Sequence, residues 1–110
     1  MALDIAEQFT CEVVPDRERV SVVLRGELDL ATAPLASKAL DEVLPAGFAK
    51  VTIDLSGLTF IDSTGMRQLV AASRRAWEHG SEFSIIPGGP AVRRAFELTG
   101  LDTTLAFEVA

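Results

Sequence analysis

The sequence is poor in cysteine and in basic residues, and each shortage excludes a class of protein. With a single cysteine, Cys11, the chain cannot form an internal disulfide bond, which favours a reducing compartment. Ten Lys and Arg residues are outnumbered by 16 Asp and Glu residues, which gives a formal net charge of −6. Because nucleic acids and anionic membranes attract clustered basic residues, and no basic run is present, neither is expected as a direct partner.

Long hydrophobic segments are also missing. The N-terminus does not combine a basic segment with a following apolar one, so no signal peptide is expected. No apolar run is long enough to span a bilayer. The sequence therefore predicts a cytoplasmic protein.

The patterns of common catalytic and cofactor sites are absent as well. The single His79 and the single Cys11 are far apart in sequence, so they do not form a metal-ligand cluster. The glycines of residues 87–90 have the wrong spacing for a phosphate-binding loop, and no nucleophile elbow is present. Ser63 and His79 would lie roughly 24 Å apart along one helix, too far for direct activation. We therefore expect a protein that is not an enzyme, with no catalytic residue, metal or cofactor of its own.

The chain does contain enough apolar sequence for one folded domain, since 48% of its 110 residues are hydrophobic. Residues 1–8 are expected to form a short lead-in. Strands are predicted over 9–14, 19–26, 50–57, 82–86 and 105–109, and helices over 33–44, 63–79 and 91–99. This order, β-β-α-β-α-β-α-β, predicts a single α/β domain with a mixed sheet and an antiparallel N-terminal hairpin.

Turn and cap residues set the predicted boundaries of these elements. Residues 26–30 are predicted to be a loop that leads to Thr32, the expected N-cap of the first helix. Leu35, Ala39, Leu40 and Val43 are expected to form the apolar stripe of that helix. Gly80 and Gly100 are expected to end the second and third helices in the left-handed conformation.

The stretch from Lys50 to Ala76 organises the rest of the chain. Its first part predicts a buried strand, with Val51, Ile53 and Leu55 inward and a stop signal at residues 54–57. Its second part predicts an amphipathic helix with an apolar stripe at Met66, Leu69, Val70, Ser73 and Trp77. Trp77 is therefore interpreted as a core residue. Between strand and helix lies Asp62–Ser63–Thr64–Gly65.

This tetrapeptide has two interpretations. Asp, Ser and Thr are favoured N-caps because their oxygens accept the free amides of the first turn, so it can be a helix cap alone. If Asp62 is the cap, Ser63 and Thr64 lie in the first turn, where a helix N-terminus favours an anion. A phosphate on a hydroxyl there would add about −1.5 to −2 charges without straining the fold. The functional hypothesis is a phosphorylation switch at Ser63.

Three segments together carry a resemblance to a known family. They are Gly26–Glu27–Leu28–Asp29, the stretch from Asp54 to Gly65, and the stretch from Pro90 to Leu101. In this order they resemble an anti-sigma factor antagonist of the STAS (sulfate transporter and anti-sigma factor antagonist) family, over nearly the whole chain. The resemblance implies one STAS domain over residues 1–110.

The resemblance also implies a partner-switching mechanism. The unphosphorylated antagonist binds an anti-sigma factor with serine kinase activity and releases the sigma factor. The kinase, using its own bound ATP, phosphorylates the serine of the motif, which is Ser63 here, with Thr64 as a backup acceptor. A serine phosphatase reverses the modification. The partner-binding residues it implies are Glu27, Asp29, Asp62, Ser63, Thr64, Gly65 and Met66, on a monomer or weak dimer.

Two other interpretations stay open. A response-regulator receiver domain has a similar length, with Asp54 in place of its phosphoacceptor, but the acidic pair after the first strand and the late lysine are missing. A STAS subunit of a lipid transport system, or a scaffold in a stress-signalling assembly, would have the same fold and would depend less on Ser63.

Overall fold

A four-stranded mixed sheet, with its strands in chain order, forms the centre of the fold. The computed structural model describes residues 8–108. The strands are β1 (Phe9–Asp16), β2 (Arg19–Leu28), β3 (Lys50–Ile61) and β4 (Glu82–Ile86), in the order β1-β2-β3-β4. β1 pairs with β2 antiparallel, whereas β2 with β3 and β3 with β4 are parallel. The predicted mixed sheet with an antiparallel N-terminal hairpin is confirmed.

In the described chain, two helices connect the parallel strands, and a third follows the last strand. They are α1 (Ala33–Val43), α2 (Ser63–Glu78) and α3 (Pro90–Thr99). Leu44, predicted as the last residue of α1, instead begins a short 3-10 turn, Leu44–Ala46. Gly80 and Gly100 follow α2 and α3 with φ of 76° and 75°, as their predicted capping role requires. No helix within residues 8–108 is long and apolar enough to cross a membrane.

The core lies on the sheet face that the helices cover. Alternate residues of β2 point into it, and Val20, Val22 and Leu24 are buried as predicted. In β3 the corresponding residues are Val51, Ile53 and Leu55, each with 0% exposure. Burial of such side chains stabilises the fold by about 1.5–3 kcal/mol each.

The predicted apolar stripe of α2 is partly wrong. Trp77 is 81% exposed, and the buried face of the helix consists of Gly65, Met66, Leu69, Ala72 and Ala76. Steps of three and four residues from Met66 lead to Ala76, and Trp77 lies about 100° further around the helix. The predicted stripe ran through Val70, Ser73 and Trp77, whereas the buried face runs through Leu69, Ala72 and Ala76, one residue earlier at each turn. The same one-residue offset leaves Leu35 of α1 exposed and Ala36 buried.

β2 and β3 extend beyond their predicted ends. Residues 26–28 were predicted to be a loop, and residues 54–57 a strand terminus, yet the two strands stay paired as far as Leu28 and Ile61. Two irregularities, at which β3 has an extra residue, accommodate the glycines and polar residues of this stretch. Gly26 has φ of 95°, and a Cβ there would lie 2.0 Å from the carbonyl oxygen of Gln8. The bulges change the inward spacing of β3 from two residues to three, so that Leu58 and Ile61 are buried.

The predicted last strand is reduced to a single parallel bridge between Phe107 and Ile85. The Ile85 N–H donates to the Ala106 carbonyl (2.9 Å), and the Glu108 N–H donates to the Ile85 carbonyl (2.7 Å). The predicted end of this strand, Val109, lies outside the described residues. So does the lead-in predicted over residues 1–8, except for Gln8.

Candidate functional site

The head of α2 is capped by Asp62. β3 ends at Ile61, and Asp62 leaves the strand in an extended conformation, with φ of −106° and ψ of −175°. Its Oδ1 accepts a hydrogen bond from the Gly65 N–H (3.0 Å), and its carbonyl accepts one from the Met66 N–H (3.0 Å). These contacts satisfy amides of the first turn, as the sequence predicted for an N-cap.

The second carboxylate oxygen of Asp62 reaches a different part of the chain. Oδ2 accepts a hydrogen bond from the Leu30 N–H (3.2 Å), and the Asp62 N–H donates to the Leu28 carbonyl (3.1 Å). The segment between β2 and α1 is therefore attached to the head of α2. No local pattern predicts this link, because its partners are 32 residues apart in sequence.

Asp29 and Thr32 hold the segment between β2 and α1 in shape. Asp29 Oδ1 accepts hydrogen bonds from the Ala31 N–H (3.0 Å) and the Thr32 N–H (3.1 Å). The Thr32 hydroxyl donates to the Glu27 carbonyl (2.8 Å) and accepts from the Asp29 N–H (2.9 Å). Thr32 was predicted to cap α1, but its side chain makes no capping hydrogen bond, because it is engaged in this turn.

The two hydroxyl residues of the tetrapeptide differ in exposure. Ser63 is the first residue of α2 and is exposed, whereas Thr64 is half-buried. The Ser63 hydroxyl is therefore accessible to the active site of another protein. The exposed Glu27 and the half-buried Asp29 belong to the segment that Asp62 attaches to this helix end.

Gly65 and Met66 contribute to packing at this helix end. A Cβ on Gly65 would lie 2.8 Å from Leu28 Cγ and 2.9 Å from Ile61 Cγ1, so its absence lets α2 approach the strand ends closely. Met66 is 6% exposed, and the Thr99 hydroxyl donates to its sulfur at 3.8 Å. The resemblance implied that both belong to the partner-binding residues; in the structure both are buried at this helix end.

Sequence reasoning missed two exposed apolar side chains in this region. Leu30 is 73% exposed and Phe60 is 46% exposed. Phe60 is paired with Glu27 across β2 and β3, and the backbone of Leu30 is bonded to Asp62. The only signal in the sequence was the aromatic residue Phe60, two positions before Asp62. Its exposure can be inferred only once β3 is known to extend to Ile61. We call Glu27, Leu30, Phe60, Asp62 and Ser63 the switch surface, after the hypothesis that Ser63 is a phosphorylation switch.

The chemistry available at the switch surface is that of an acceptor hydroxyl beside carboxylates. Within residues 8–108, no group of three His, Cys, Asp or Glu side chains is arranged to hold a metal ion. His79 lies at the opposite end of α2, at its C-cap, about 24 Å from Ser63 along the helix. Cys11 is in β1, where burial raises the pKa of its thiol and makes it less reactive.

Comparisons with known proteins agree with this fold. The profile described as "Mlab, STAS domain" matches residues 11–107. The chain is 35% identical over 92 residues to the anti-sigma-F factor antagonist RsfB of Mycobacterium tuberculosis, covering 83% of this chain and 75% of RsfB. The crystal structure of an anti-sigma factor antagonist from Mycobacterium paratuberculosis superposes with a TM-score of 0.86 at 30% identity, over 98% of this chain and 92% of that one.

The fold is also shared with the anti-sigma factor antagonist SpoIIAA. Its unphosphorylated form superposes with a TM-score of 0.71 at 24% identity, over 92% of this chain and 88% of that one. The phosphorylated form of this Bacillus cell fate determinant superposes with a TM-score of 0.67 at 20% identity, over 92% and 91%. At this identity the likeness extends to the fold alone.

Proposed function

Because the chain belongs to the STAS domain family, we propose that it is an anti-sigma factor antagonist whose binding is switched by phosphorylation of Ser63. The relatives RsfB and the Mycobacterium paratuberculosis protein are named as such antagonists, which supports the general function. The exposure of Ser63 at the capped N-terminus of α2 is the observation that carries the proposed switch.

A phosphate on Ser63 is compatible with the fold. The side chain is exposed, so the added group extends into solvent and displaces no core residue. The positive end of the helix dipole favours a negative charge there by about 0.3–1 kcal/mol. SpoIIAA, which has the same fold, exists in a phosphorylated and an unphosphorylated form, and this supports the proposal.

The same phosphate opposes docking of a partner on the switch surface. It adds a dianion beside the carboxylate of Asp62. It also holds water near the exposed side chains of Leu30 and Phe60, which would otherwise make apolar contacts with the partner. Burial of an unmatched dianion in an interface costs several kcal/mol. A loss of about 3 kcal/mol weakens binding roughly a hundredfold, which is sufficient for a switch.

The proposed partners follow from this mechanism. An anti-sigma factor with serine kinase activity binds the unphosphorylated switch surface, supplies its own ATP and transfers the phosphate to Ser63. A serine phosphatase restores the binding form. Thr64 is the backup acceptor, but it is half-buried and therefore the less accessible hydroxyl. The antagonist itself acts as a regulator in the cytoplasm and catalyses no reaction.

Incubation of the protein with its cognate anti-sigma kinase and ATP tests the proposal. We expect one phosphate, located on Ser63 by mass spectrometry. Ser63→Ala should take up none, and Thr64→Ala, the matched control, should be phosphorylated as the wild type is. Phosphate on Thr64 alone, or none with the cognate kinase, would contradict the switch and favour the lipid transport or scaffold interpretation.

A further inference from the structure

The C-terminal half of α2 carries a second exposed surface. Trp77 is the single tryptophan of the chain, and at 81% its exposure exceeds that of every other large apolar side chain within residues 8–108. It lies about 21 Å from Ser63 along the helix, since each residue adds 1.5 Å. Tryptophan and arginine dominate binding energy at protein interfaces, so an exposed Trp beside Arg74 on one helix is typical of a docking surface.

A groove of about 290 Å³ adjoins Trp77. It is lined by Val70, Ser73, Arg74 and Trp77 of α2 and by Thr104 and Leu105, which follow α3. We call these six residues the Trp77 groove. Leu105 is buried and Val70 is half-buried, so the groove combines apolar and aromatic walls with a cationic side chain. Such a groove fits an apolar side chain that has acidic neighbours.

The distribution of charge also selects an acidic partner. Arg74 is the only charged residue among the six that line the groove. Within the described chain, Arg75 pairs with Asp41 at 2.8 Å, whereas Arg74 has no ion-pair partner.

A second copy of the chain is a poorer occupant than an acidic protein. Most homodimers are symmetric and use the same patch on both subunits. A symmetric contact through the Trp77 groove would enclose two Arg74 side chains in one interface, and no acidic residue lines the groove to pair with either of them. Complementary charge therefore favours a different protein.

We propose that the Trp77 groove docks an acidic segment of another protein, with an apolar side chain of that segment inserted beside Trp77. This contact is independent of Ser63, because the groove and the switch surface lie on opposite ends of α2. Both surfaces can therefore be occupied at the same time.

Tryptophan fluorescence tests the proposal directly, because Trp77 is the only tryptophan. The probe is a short synthetic peptide of glutamates with two leucines, and control peptides replace the glutamates by lysine or the leucines by serine. We expect the glutamate–leucine peptide alone to shift the emission of Trp77 to shorter wavelength, saturably and less strongly at high salt. Arg74→Glu should weaken this binding by about tenfold or more.

Lys38→Glu is the matched control, because it makes the same change in net charge at an exposed position of α1. It should bind as the wild type does. The proposal is overturned if the peptide causes no shift, if the lysine peptide binds equally well, or if Arg74→Glu and Lys38→Glu weaken binding alike. A shift that depends only on protein concentration would assign the groove to a second copy and also overturn it.

Discussion

Asp62 serves two parts of the molecule, one with each carboxylate oxygen. Oδ1 caps α2 through the Gly65 N–H, and Oδ2 holds the Leu30 N–H of the segment after β2. The exposed Ser63 is the next residue, so any charge added to it lies beside this carboxylate. Asp62 therefore positions the helix end and, in the proposed switch, adds to the negative charge that opposes docking of the partner.

Substitutions of Ser63 separate the hydroxyl from the charge. Ser63→Ala should bind the kinase with wild-type affinity and should not be released by ATP, because it offers no acceptor hydroxyl. Ser63→Asp should bind at least about tenfold more weakly, because it introduces a negative charge on the switch surface. Calorimetric titration against the kinase measures both. Equal affinities for the two variants would rule out the charge mechanism.

The local roles of the tetrapeptide could be predicted from the sequence, and its contacts could not. Capping by Asp62 depends on a side chain that reaches three residues along its own helix, which a sequence pattern records. The bond from Leu30 to Asp62, and the exposure of Leu30 and Phe60, depend on how β2 and β3 are paired. Thr32 is the N-cap residue of α1, as predicted, but its hydroxyl bonds within the turn at Asp29 and not to the first turn of the helix.

At the scale of the elements, the close approach of α2 to the sheet depends on Gly65, the small residue in its first turn. Gly65 lies against Leu28 and Ile61, with no room for a Cβ. Gly65→Val should destabilise the fold by about 1–3 kcal/mol through overpacking, and lower the Tm by roughly 5–15 °C. Thermal unfolding followed by circular dichroism measures this.

Ala71→Val is the control for Gly65→Val, since it introduces the same side chain at an exposed position of the same helix. Its effect should stay below about 1 kcal/mol, the usual range for helix propensity. Equal destabilisation by the two variants would contradict the claim that Gly65 is needed for close packing of α2 on β2 and β3.

The order and types of the elements were predictable, and the ends of the two central strands were not. Alternation of apolar residues identifies β2 and the first half of β3, because a regular strand buries every second side chain. Beyond Leu55 the bulges bury every third residue, and the sequence then no longer looks like a strand. Trp77 was misplaced because it fits the helical spacing from Met66 as well as Ala76 does, and only the packing of α2 against the sheet decides between the two.

For the whole molecule, the proposed switch changes the surface and leaves the fold intact. The phosphorylated and unmodified proteins should unfold at nearly the same temperature, because Ser63 is exposed and the helix dipole favours the added charge by about 0.3–1 kcal/mol. Differential scanning calorimetry of the two forms checks this. A Tm lowered by more than about 5 °C in the phosphorylated form would mean that modification acts by unfolding instead.

The order of strands in the sheet has a consequence for biosynthesis. Among the described residues 8–108, each strand pairs with the one made just before it, and no strand is inserted between two earlier ones. A nascent chain can therefore add β3 to a hairpin already formed, and then β4 to β3, as each leaves the ribosome. The bridge between Phe107 and Ile85 forms later than these pairings, because Phe107 follows all four strands in the chain.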